Sequence, residues 1–397
     1  MKSRHPKPHA QAYRLTRPAA LSVRRGHPWV YREGFVRLPD LASGTVVELV
    51  DEDNAPIGVG LFDSQSPIAA RVFAREGPLD QRALMVRLEQ AFRRRDTFIG
   101  PDTTAYRLCN GEGDHLPGLV IDKYAHVVVV RLDGEHLVSW LDKLVPSLAK
   151  SLAARGVTSL ALRRARDEAG DKRTRTLAGD EPPDRLIVYE HGMAMEVDLA
   201  HGQKTGAFLD QRDNRALVRK LGRGRTRVLN LYSFAGGFSV AAALGGAKHV
   251  TSVDVASAAH ASAQRSFREN KLDPAAHAFV TADAFAFLEA AARRGDRFDL
   301  IVSDPPSFAP NEKTKPRALG AYRKLHAALA RVLDRSGVLC AASCSSHVTM
   351  EEFVGTLDAA TLGRDDLSVV AIHGHAPDHP TLPAWSEGRY LKMVVLT

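Results

Sequence analysis

Phe298-Asp299-Leu300-Ile301-Val302-Ser303-Asp304-Pro305-Pro306 and Val338-Leu339-Cys340-Ala341-Ala342-Ser343-Cys344 decide how the carboxyl half of this chain folds. Each stretch is an apolar run of strand length that ends in a reactive side chain, Asp304 or Cys344. Between the two runs, apolar residues recur at helical spacing, at Leu319, Tyr322, Leu325 and Leu329. A strand, a helix and a second strand predict two parallel strands joined by a right-handed crossover. If these strands are neighbours, Asp304 and Cys344 meet at the sheet edge where open α/β proteins bind ligands.

The alternation of strands and helices continues through residues 191–397. Other apolar runs of strand length lie at 228–231, 250–253, 278–280, 369–372 and 391–396. Helical patterns between them include 256–270 and 284–293. This alternation predicts a doubly wound, Rossmann-like α/β domain.

The first 190 residues follow a different pattern. Short strand-like runs separated by turn signals fill residues 1–75 and predict a small β-barrel. In residues 76–190 we expect an α+β unit. It comprises helices at 80–98 and 137–154, a hairpin at 111–124, strands at 126–132 and 160–162, and a loop or ribbon at 163–184.

Composition limits the classes of protein to consider. The chain has 397 residues, which is enough for two or three domains with sizeable cores. No apolar run approaches the ~20 residues that span a bilayer, so we expect no membrane partner. Three cysteines provide no disulfide framework and favour a reducing, cytoplasmic environment. We predict no metal site.

The net charge of +8 is concentrated at the amino end. Residues 1–37 contain nine Lys or Arg residues and one acid, Glu33, so the rest of the chain is formally neutral. Such a basic segment indicates a polyanionic partner, RNA or DNA, although a solvated tail explains the charge equally well.

A nucleoside pocket is predicted at the ends of the first strands of the α/β domain. The first strand runs into a turn that contains Tyr232, Phe234, Gly236 and Gly237. Glycines in such a turn let a ligand approach the backbone, although the G-x-G-x-x-G fingerprint of dinucleotide binding is absent. Acids follow the next three strands, at Asp254, Asp283 and Asp304. Each acid alone is equally explained as a helix N-cap, whereas the three together favour ligand binding.

The three cysteines differ in their surroundings. Cys109 and Cys340 lie in apolar runs and are expected to be inert core thiols. Cys344 follows a strand end among serines, near His347, where a thiolate can be exposed and reactive. The Asp304-Pro305-Pro306 loop is similar to loops that methylate exocyclic amines, but Ser307 stands where those loops carry an aromatic residue.

A polar segment, residues 202–215, precedes the first strand of this domain. Asp210 is positioned to cap the helix that follows, and Gly222 to end it. Because the segment adjoins the predicted pocket, we expect Lys204 or Arg212 to contact a substrate or a carboxylate.

These motifs together resemble one family, the RlmI-type 23S rRNA cytosine-C5 methyltransferases. The resemblance spans nearly the whole chain, loosely over 163–185, and His115 departs from a more usual small residue. The matching motifs are Gly26-His27-Pro28-Trp29-Val30, Asn110-Gly111-Glu112-Gly113-Asp114, Leu116-Pro117-Gly118-Leu119, residues 202–215, residues 230–240, Asp304-Pro305-Pro306 and Ser343-Cys344-Ser345.

The resemblance implies a domain order and a set of site residues. We expect a PUA domain at 1–75, an α+β linker domain at 76–190 and a class I S-adenosylmethionine-dependent domain at 191–397. The catalytic residues implied are Cys344 as nucleophile, with Asp304 and Pro305 holding the base. The cofactor-binding residues predicted are Arg212, Tyr232, Phe234, Gly236, Gly237, Asp254, Asp283 and Asp304. The RNA-binding residues predicted are Arg24, Arg25, Lys204, Phe308 and His347, and His347 is also considered as a base.

The implied partner is 23S ribosomal RNA, free or partly assembled, and a homodimer is compatible with the sequence. Two other functions remain open at this stage. One is an rRNA guanine or adenine N-methyltransferase, which needs no thiol. The other is a non-catalytic PUA protein of ribosome assembly, which would not bind the cofactor. A nicotinamide dehydrogenase is disfavoured by the missing fingerprint.

Overall fold

The computed structural model describes residues 12–164 and 173–397. Three basic residues of the amino end, Lys2, Arg4 and Lys7, lie outside this part of the chain. So does the middle of the loop or ribbon predicted at 163–184. Three larger sheets and one ribbon follow one another along the described chain.

The first sheet forms the predicted β-barrel. Its strands are β1 (Ala12–Arg14), β2 (Trp29–Tyr31), β3 (Val46–Val50), β4 (Pro56–Phe62) and β5 (Ile68–Ala74). They lie in the order β1-β3-β4-β5-β2, and a bridge between Leu15 and Phe35 joins the two edges. The helix α1 (Arg17–Arg24) was not predicted: it spans only eight residues, and Ala20 and Val23 are its buried positions.

The second sheet belongs to the α+β unit. Its strands are β6 (Ala105–Asn110), β7 (Leu119–Tyr124), β8 (Val127–Leu132), β9 (Ser159–Arg163) and β10 (Thr174–Gly179), in the order β10-β9-β8-β7-β6. Helices α2 (Gln81–Phe98) and α3 (Val138–Ala153) share one apolar core with this sheet. Asp80 caps α2 by accepting from the Ala83 N–H at 2.8 Å.

A two-stranded ribbon leads into the carboxyl-terminal domain. It consists of β11 (Arg185–Glu190) and β12 (Met193–Asp198). Val188 and Met195 pack in the same core as Val228 and Val250 of the following sheet. The expected domain boundary at residue 190 thus falls in the turn of this ribbon.

The third sheet carries the predicted site. Its strands are β13 (Arg227–Leu231), β14 (His249–Asp254), β15 (Ala278–Thr281), β16 (Phe298–Ser303), β17 (Leu333–Ser343), β18 (Val369–His373) and β19 (Lys392–Leu396). Its helices are α4 (Arg212–Leu221), α5 (Gly237–Leu244), α6 (Ser257–Glu269), α7 (Ala284–Arg294), α8 (Lys315–Val332), α9 (Met350–Val354) and α10 (Ala359–Leu362). The strand order is β15-β14-β13-β16-β17-β19-β18, and β19 runs in the direction opposite to the other six strands.

The central prediction about this sheet is confirmed. Strands β16 and β17 are parallel neighbours, with Ser303 opposite Ala341, and α8 connects them. Asp304 and Cys344 therefore emerge at the same edge. Among the described residues, no helix is long and apolar enough to cross a membrane, and no group of metal-binding side chains is found.

A buried arginine joins the α+β unit to the carboxyl-terminal domain. The Arg95 guanidinium donates to both Asp114 carboxylate oxygens, at 2.7 and 2.6 Å, and to the Arg107 carbonyl at 2.8 Å. It also donates to the Asp378 carbonyl, at 2.6 Å. Arg95 is only 1% exposed, so these bonds form away from water.

Replacing Arg95 by methionine is expected to lower the free energy of unfolding by about 3 kcal/mol, because it leaves the buried Asp114 carboxylate short of partners. Urea unfolding followed by circular dichroism measures this change. Arg93→Met, on the exposed side of the same helix, is the matched control and should shift stability by less than about 0.5 kcal/mol. Equal losses in the two variants would contradict the role of the buried network.

Candidate active site

A deep cleft lies at the carboxyl ends of β13, β14, β16 and β17 and has a volume of about 1760 Å³. Its far wall includes Trp29 and Tyr31 of β2, and the loop between β18 and β19 closes one side. Pockets for one small ligand typically measure roughly 300–1,000 Å³. The cleft therefore has room for a cofactor and a second substrate together.

The turn after β13 has an unusual backbone. Tyr232, Phe234 and Gly236 all have positive φ angles, of 58°, 46° and 77°. A Cβ on Gly236 would lie 2.6 Å from the Cβ of Ala263, so this position requires glycine. The Phe234 N–H donates to Asp254 at 2.8 Å, and this bond helps to hold the aromatic residues in a conformation they rarely adopt.

Asp254 at the end of β14 has the properties of a ribose-binding acid. One carboxylate oxygen accepts from the Phe234 N–H and the other from the Ala256 N–H, and each retains a free lone pair. Val255 beside it is 71% exposed in the cleft, and the buried Ser233 hydroxyl has no partner in the described structure. An adenosine moiety fits this site, because its base can cover the exposed Val255 side chain and its ribose hydroxyls can bond to Asp254 and Ser233.

The other predicted residues are divided between the cleft wall and positions outside it. Tyr232, Phe234, Gly237, Asp254, Asp304, Pro305, Cys344, Lys204 and His347 line the cleft. Gly236 supports the turn but is not part of the wall. Arg24 and Arg25 are exposed at the end of α1, where Arg24 forms an ion pair with Asp51.

Three predicted contacts are not supported by the geometry. Asp283 caps α7 by accepting from the Ala286 N–H at 3.0 Å, which is the alternative explanation for an acid after a strand. Phe308 packs on the Tyr322 ring at 4.8 Å, as part of the core. Arg212, 2% exposed, forms a buried ion pair with Asp378 behind the cleft wall.

Asp254 and Asp283 should therefore respond differently to substitution. Asp254→Ala is expected to weaken binding of S-adenosylmethionine, the predicted cofactor, about 10–100-fold, because hydrogen bonds to a charged group contribute about 1.5–3 kcal/mol. Asp283→Ser, which preserves a helix cap, should change affinity less than threefold. Calorimetric titration with the cofactor measures both, and equal losses would contradict this division of roles.

Asp304 lies at the centre of the cleft and is held by an amide. Its Oδ2 accepts from the Gln211 side chain at 2.9 Å, and Asn214 orients that amide by donating to its oxygen at 2.6 Å. Burial, and then the charge of Asp210, raise the pKa of Asp304 to about 6. At pH 7 roughly one molecule in ten therefore carries a protonated Asp304, far more than for an ordinary aspartate, and this minor form can donate a hydrogen bond.

Cys344 is the cysteine that faces the cleft. Its Sγ lies 3.9 Å from the Pro305 carbonyl oxygen, whereas Cys109 and Cys340 are fully buried, as predicted. Burial and the Asp304 carboxylate raise the pKa of the Cys344 thiol to about 11, with Lys204 acting in the opposite direction. The thiol is thus neutral in the free protein, and loss of the Asp304 charge favours the thiolate.

Lys204 and Asp210 form a fixed pair in the cleft wall. Asp210 accepts from the Lys204 ammonium at 2.8 Å and from the Tyr390 hydroxyl at 2.6 Å, and Lys204 lies 4.4 Å from the Phe208 ring centre. The prediction that Asp210 caps α4 is wrong, because Gln211 occupies the N-cap position and the Asp210 carboxylate bonds to Lys204 and Tyr390 instead. Gly222 does end that helix.

The loop between β18 and β19 supplies residues that the sequence motifs did not reveal. Tyr390 lines the cleft, and the Lys392 ammonium donates to the carbonyls of Tyr390, at 2.7 Å, and Ser345, at 2.9 Å. Burial lowers the pKa of Lys392 to about 8. Lys392 thereby holds the turn that carries Cys344. In the sequence, the signal for this role is that Lys392 lies in the otherwise apolar run 391–396.

Family models match two parts of the chain. A model described as S-adenosylmethionine-dependent methyltransferase matches residues 127–380, and one described as PUA-like domain matches residues 14–75. Both agree with the fold class predicted from the sequence.

Whole-length relatives are found among known proteins. The chain is 38% identical over 400 residues to a ribosomal RNA large subunit methyltransferase of Deinococcus radiodurans, covering 96% of each chain. It is 34% identical over 379 residues to ribosomal RNA large subunit methyltransferase I of Escherichia coli, covering 94% of this chain and 95% of that protein.

Solved structures match over almost the same length. The crystal structure of SMU.776, described as a candidate methyltransferase and complexed with SAH, superposes with a TM-score of 0.86 at 26% identity. A candidate SAM-dependent methyltransferase from Streptococcus mutans superposes with a TM-score of 0.85 at 25% identity. Each match covers 97% of this chain and 99% of the other.

Proposed function

The chain belongs to the ribosomal RNA large subunit methyltransferase I family of S-adenosylmethionine-dependent methyltransferases, and from this membership we propose that it forms 5-methylcytosine in large-subunit ribosomal RNA. The observation that carries the choice of carbon 5 is the cleft-facing thiol of Cys344 beside Asp304. Methylation of an amine needs no thiol, whereas carbon 5 of cytosine is a poor nucleophile until a nucleophile adds to carbon 6.

The chemistry divides between the cofactor and the chain. S-adenosylmethionine, when bound, supplies the electrophilic methyl group that the activated carbon 5 attacks. The Cys344 thiol releases its proton to water in the cleft, the resulting thiolate forms the bond to carbon 6, and the electron pair of the 5,6 double bond becomes available at carbon 5. The carbon-5 proton then leaves, the C5–C6 double bond re-forms and the carbon–sulfur bond breaks, which regenerates the thiolate.

Asp304 stabilises the adduct by its protonation. The neutral carboxyl gives its proton to ring nitrogen 3 as Sγ adds, and recovers it when the thiolate leaves. Protonation of Asp304 before the addition removes the carboxylate charge that opposes thiolate formation, and the charge returns only when ring nitrogen 3 takes the proton. The Pro305 carbonyl, in a loop stiffened by Pro306, is placed to accept from the exocyclic amine.

The RNA must present an unpaired or flipped base. Cys344 lies inside the cleft, so a cytosine stacked in a helix cannot reach it. Free or partly assembled 23S RNA meets this condition more readily than a complete subunit. The exposed Arg24 and Arg25, with Lys204 at the cleft, supply positive charge for phosphate contacts, and His347 at the cleft offers a further hydrogen-bonding group.

Mapping 5-methylcytosine in large-subunit RNA from cells with and without the gene tests the proposal. Nucleoside mass spectrometry should lose one 5-methylcytosine signal in the deletion strain, and the purified protein should restore it on that RNA. Loss of a methylated purine instead would support N-methylation. An unchanged methylation profile, with no transfer by the purified protein, would contradict the proposed activity altogether.

A further inference from the structure

His379 in the loop between β18 and β19 has the environment of a catalytic base. It lines the cleft together with Asp304 and Cys344 and is 4% exposed. Its Nδ1 lies 3.1 Å from Asp378 Oδ1, whereas its Nε2 is buried and has no hydrogen-bond partner in the described structure. Buried polar atoms are nearly always paired, so an unpaired ring nitrogen in a ligand-binding cleft points to a bound group.

The hydrogen bonds of Asp378 determine which ring nitrogen of His379 is free to accept a proton. Asp378 Oδ2 accepts from the Arg212 guanidinium and from the Arg107 N–H, both at 2.8 Å. Burial alone would raise the pKa of Asp378, but His379 and Arg212 hold this pKa well below its usual range. The carboxylate is therefore ionised and can only accept, so when the His379 imidazole is neutral its Nδ1 carries the proton and its Nε2 presents a lone pair.

Three other candidate bases in the cleft are less suited to accept the proton. His347 lies at the rim with Nδ1 3.3 Å from Glu312. His375 stacks on His379 with ring centres 6.3 Å apart, and its Nε2 accepts from the Leu391 N–H at 3.3 Å. Asp210 Oδ1 has no partner in the described structure, but Lys204 and Tyr390 pair with Oδ2 and help to hold the pKa of Asp210 far below its usual range, so this carboxylate is a poor proton acceptor.

We propose that His379, oriented by Asp378, is the base that removes the carbon-5 proton after methyl transfer. Nε2 takes the proton, the electrons of the C5–H bond form the C5–C6 double bond, and the Cys344 sulfur leaves carbon 6 as thiolate. The imidazolium is stabilised by the Asp378 carboxylate and returns its proton to solvent when the RNA departs. Arg212 is a positioning residue, because it holds Asp378 in place. This assignment rests on the proposed carbon-5 reaction.

Trapping of the methylated adduct tests the role of His379 directly. His379→Asn and the larger His379→Gln are incubated with unmodified large-subunit RNA and cofactor carrying a labelled methyl group. Turnover is expected to fall at least about 100-fold. A labelled RNA–protein complex that survives denaturing electrophoresis should accumulate at least about tenfold above wild type, because the adduct forms but cannot eliminate.

Two further variants separate this role from a structural one. His375→Asn should not accumulate the complex, and Cys344→Ala combined with His379→Asn should form none. Slow turnover without the complex in both His379 variants would overturn the assignment, as would product release at the wild-type rate. If the wild-type protein itself forms no 5-methylcytosine, and no variant forms a Cys344-dependent complex, the carbon-5 reaction has failed instead.

Discussion

Replacing Cys344 by alanine is expected to lower methyl transfer to RNA at least about 10⁴-fold, because loss of a covalent nucleophile removes the step that activates carbon 5. The side chain lies in the cleft and its Sγ forms only a long contact with the Pro305 carbonyl, so its removal should leave the fold and the cofactor pocket intact. Transfer of labelled methyl groups from S-adenosylmethionine measures the loss, and calorimetry should give wild-type affinity for the cofactor.

Cys340→Ala is the matched control for this experiment. Cys340 is four residues earlier, in β17, and fully buried. Its truncation is expected to cost about 1 kcal/mol of stability through the small cavity, with transfer activity retained. Substantial methylation by Cys344→Ala would rule out the covalent route and favour attack by a nitrogen that needs no thiol.

Asp304→Asn is expected to lower turnover about 10²–10³-fold, because the amide cannot give a proton to ring nitrogen 3. The same substitution should stabilise the free protein by about 1–2 kcal/mol above pH 6. Asparagine can still accept the Gln211 hydrogen bond at this position, so the change removes mainly the buried charge. Activity assays and thermal unfolding at several pH values measure the two effects.

The pH dependence of that stabilisation follows from the raised pKa of Asp304, about 6 against an ordinary 3.8. Below about pH 4 the carboxyl is protonated in both folded and unfolded states, so the variant gains little. Between pH 4 and 6 only the folded state retains the proton, and wild-type stability falls as pH rises. Above pH 6 the full cost of the buried charge is present.

Asp210→Asn provides a control of opposite sign. Burial alone would raise the pKa of Asp210, but Lys204 and Tyr390 help to hold this pKa far below its usual range. The ionised form of Asp210 therefore stabilises the fold at neutral pH. Its neutralisation should therefore destabilise the protein. If both substitutions shifted stability in the same direction, the assigned environments of the two acids would be wrong.

Local chemistry explains which features the sequence predicted. Asp304 and Cys344 each end a strand of one parallel sheet, and strand polarity alone brings such ends to one edge. The turn after β13 and Asp254 follow from the same rule. The β-barrel, the seven-stranded sheet and the buried positions of Cys109 and Cys340 also depend on short-range apolar patterns.

The functions of isolated acids depended instead on distant partners. Asp283 and Asp254 both follow strands, but Asp254 lines the cleft beside the exposed Val255, whereas Asp283 lies outside the cleft wall and caps α7. Arg212 was expected near the cofactor and forms a buried ion pair with Asp378, 166 residues away. The position of a charged residue near a glycine turn in the sequence does not show which distant residue it will pair with in the folded protein.

The sequence by itself therefore determined the sheet and the edge at which Asp304 and Cys344 meet, since these depend on periodicity and strand polarity. Only the tertiary structure decided the proton affinities and the unpaired hydrogen-bonding atoms in the cleft. It surrounded Asp304 with Gln211 and Asp210, fixed Lys392 beneath the Cys344 turn, and left His379 Nε2 without a partner. The physical reason is that proton affinity depends on burial and on charges within a few ångströms, and here those charges come from segments far apart in the chain.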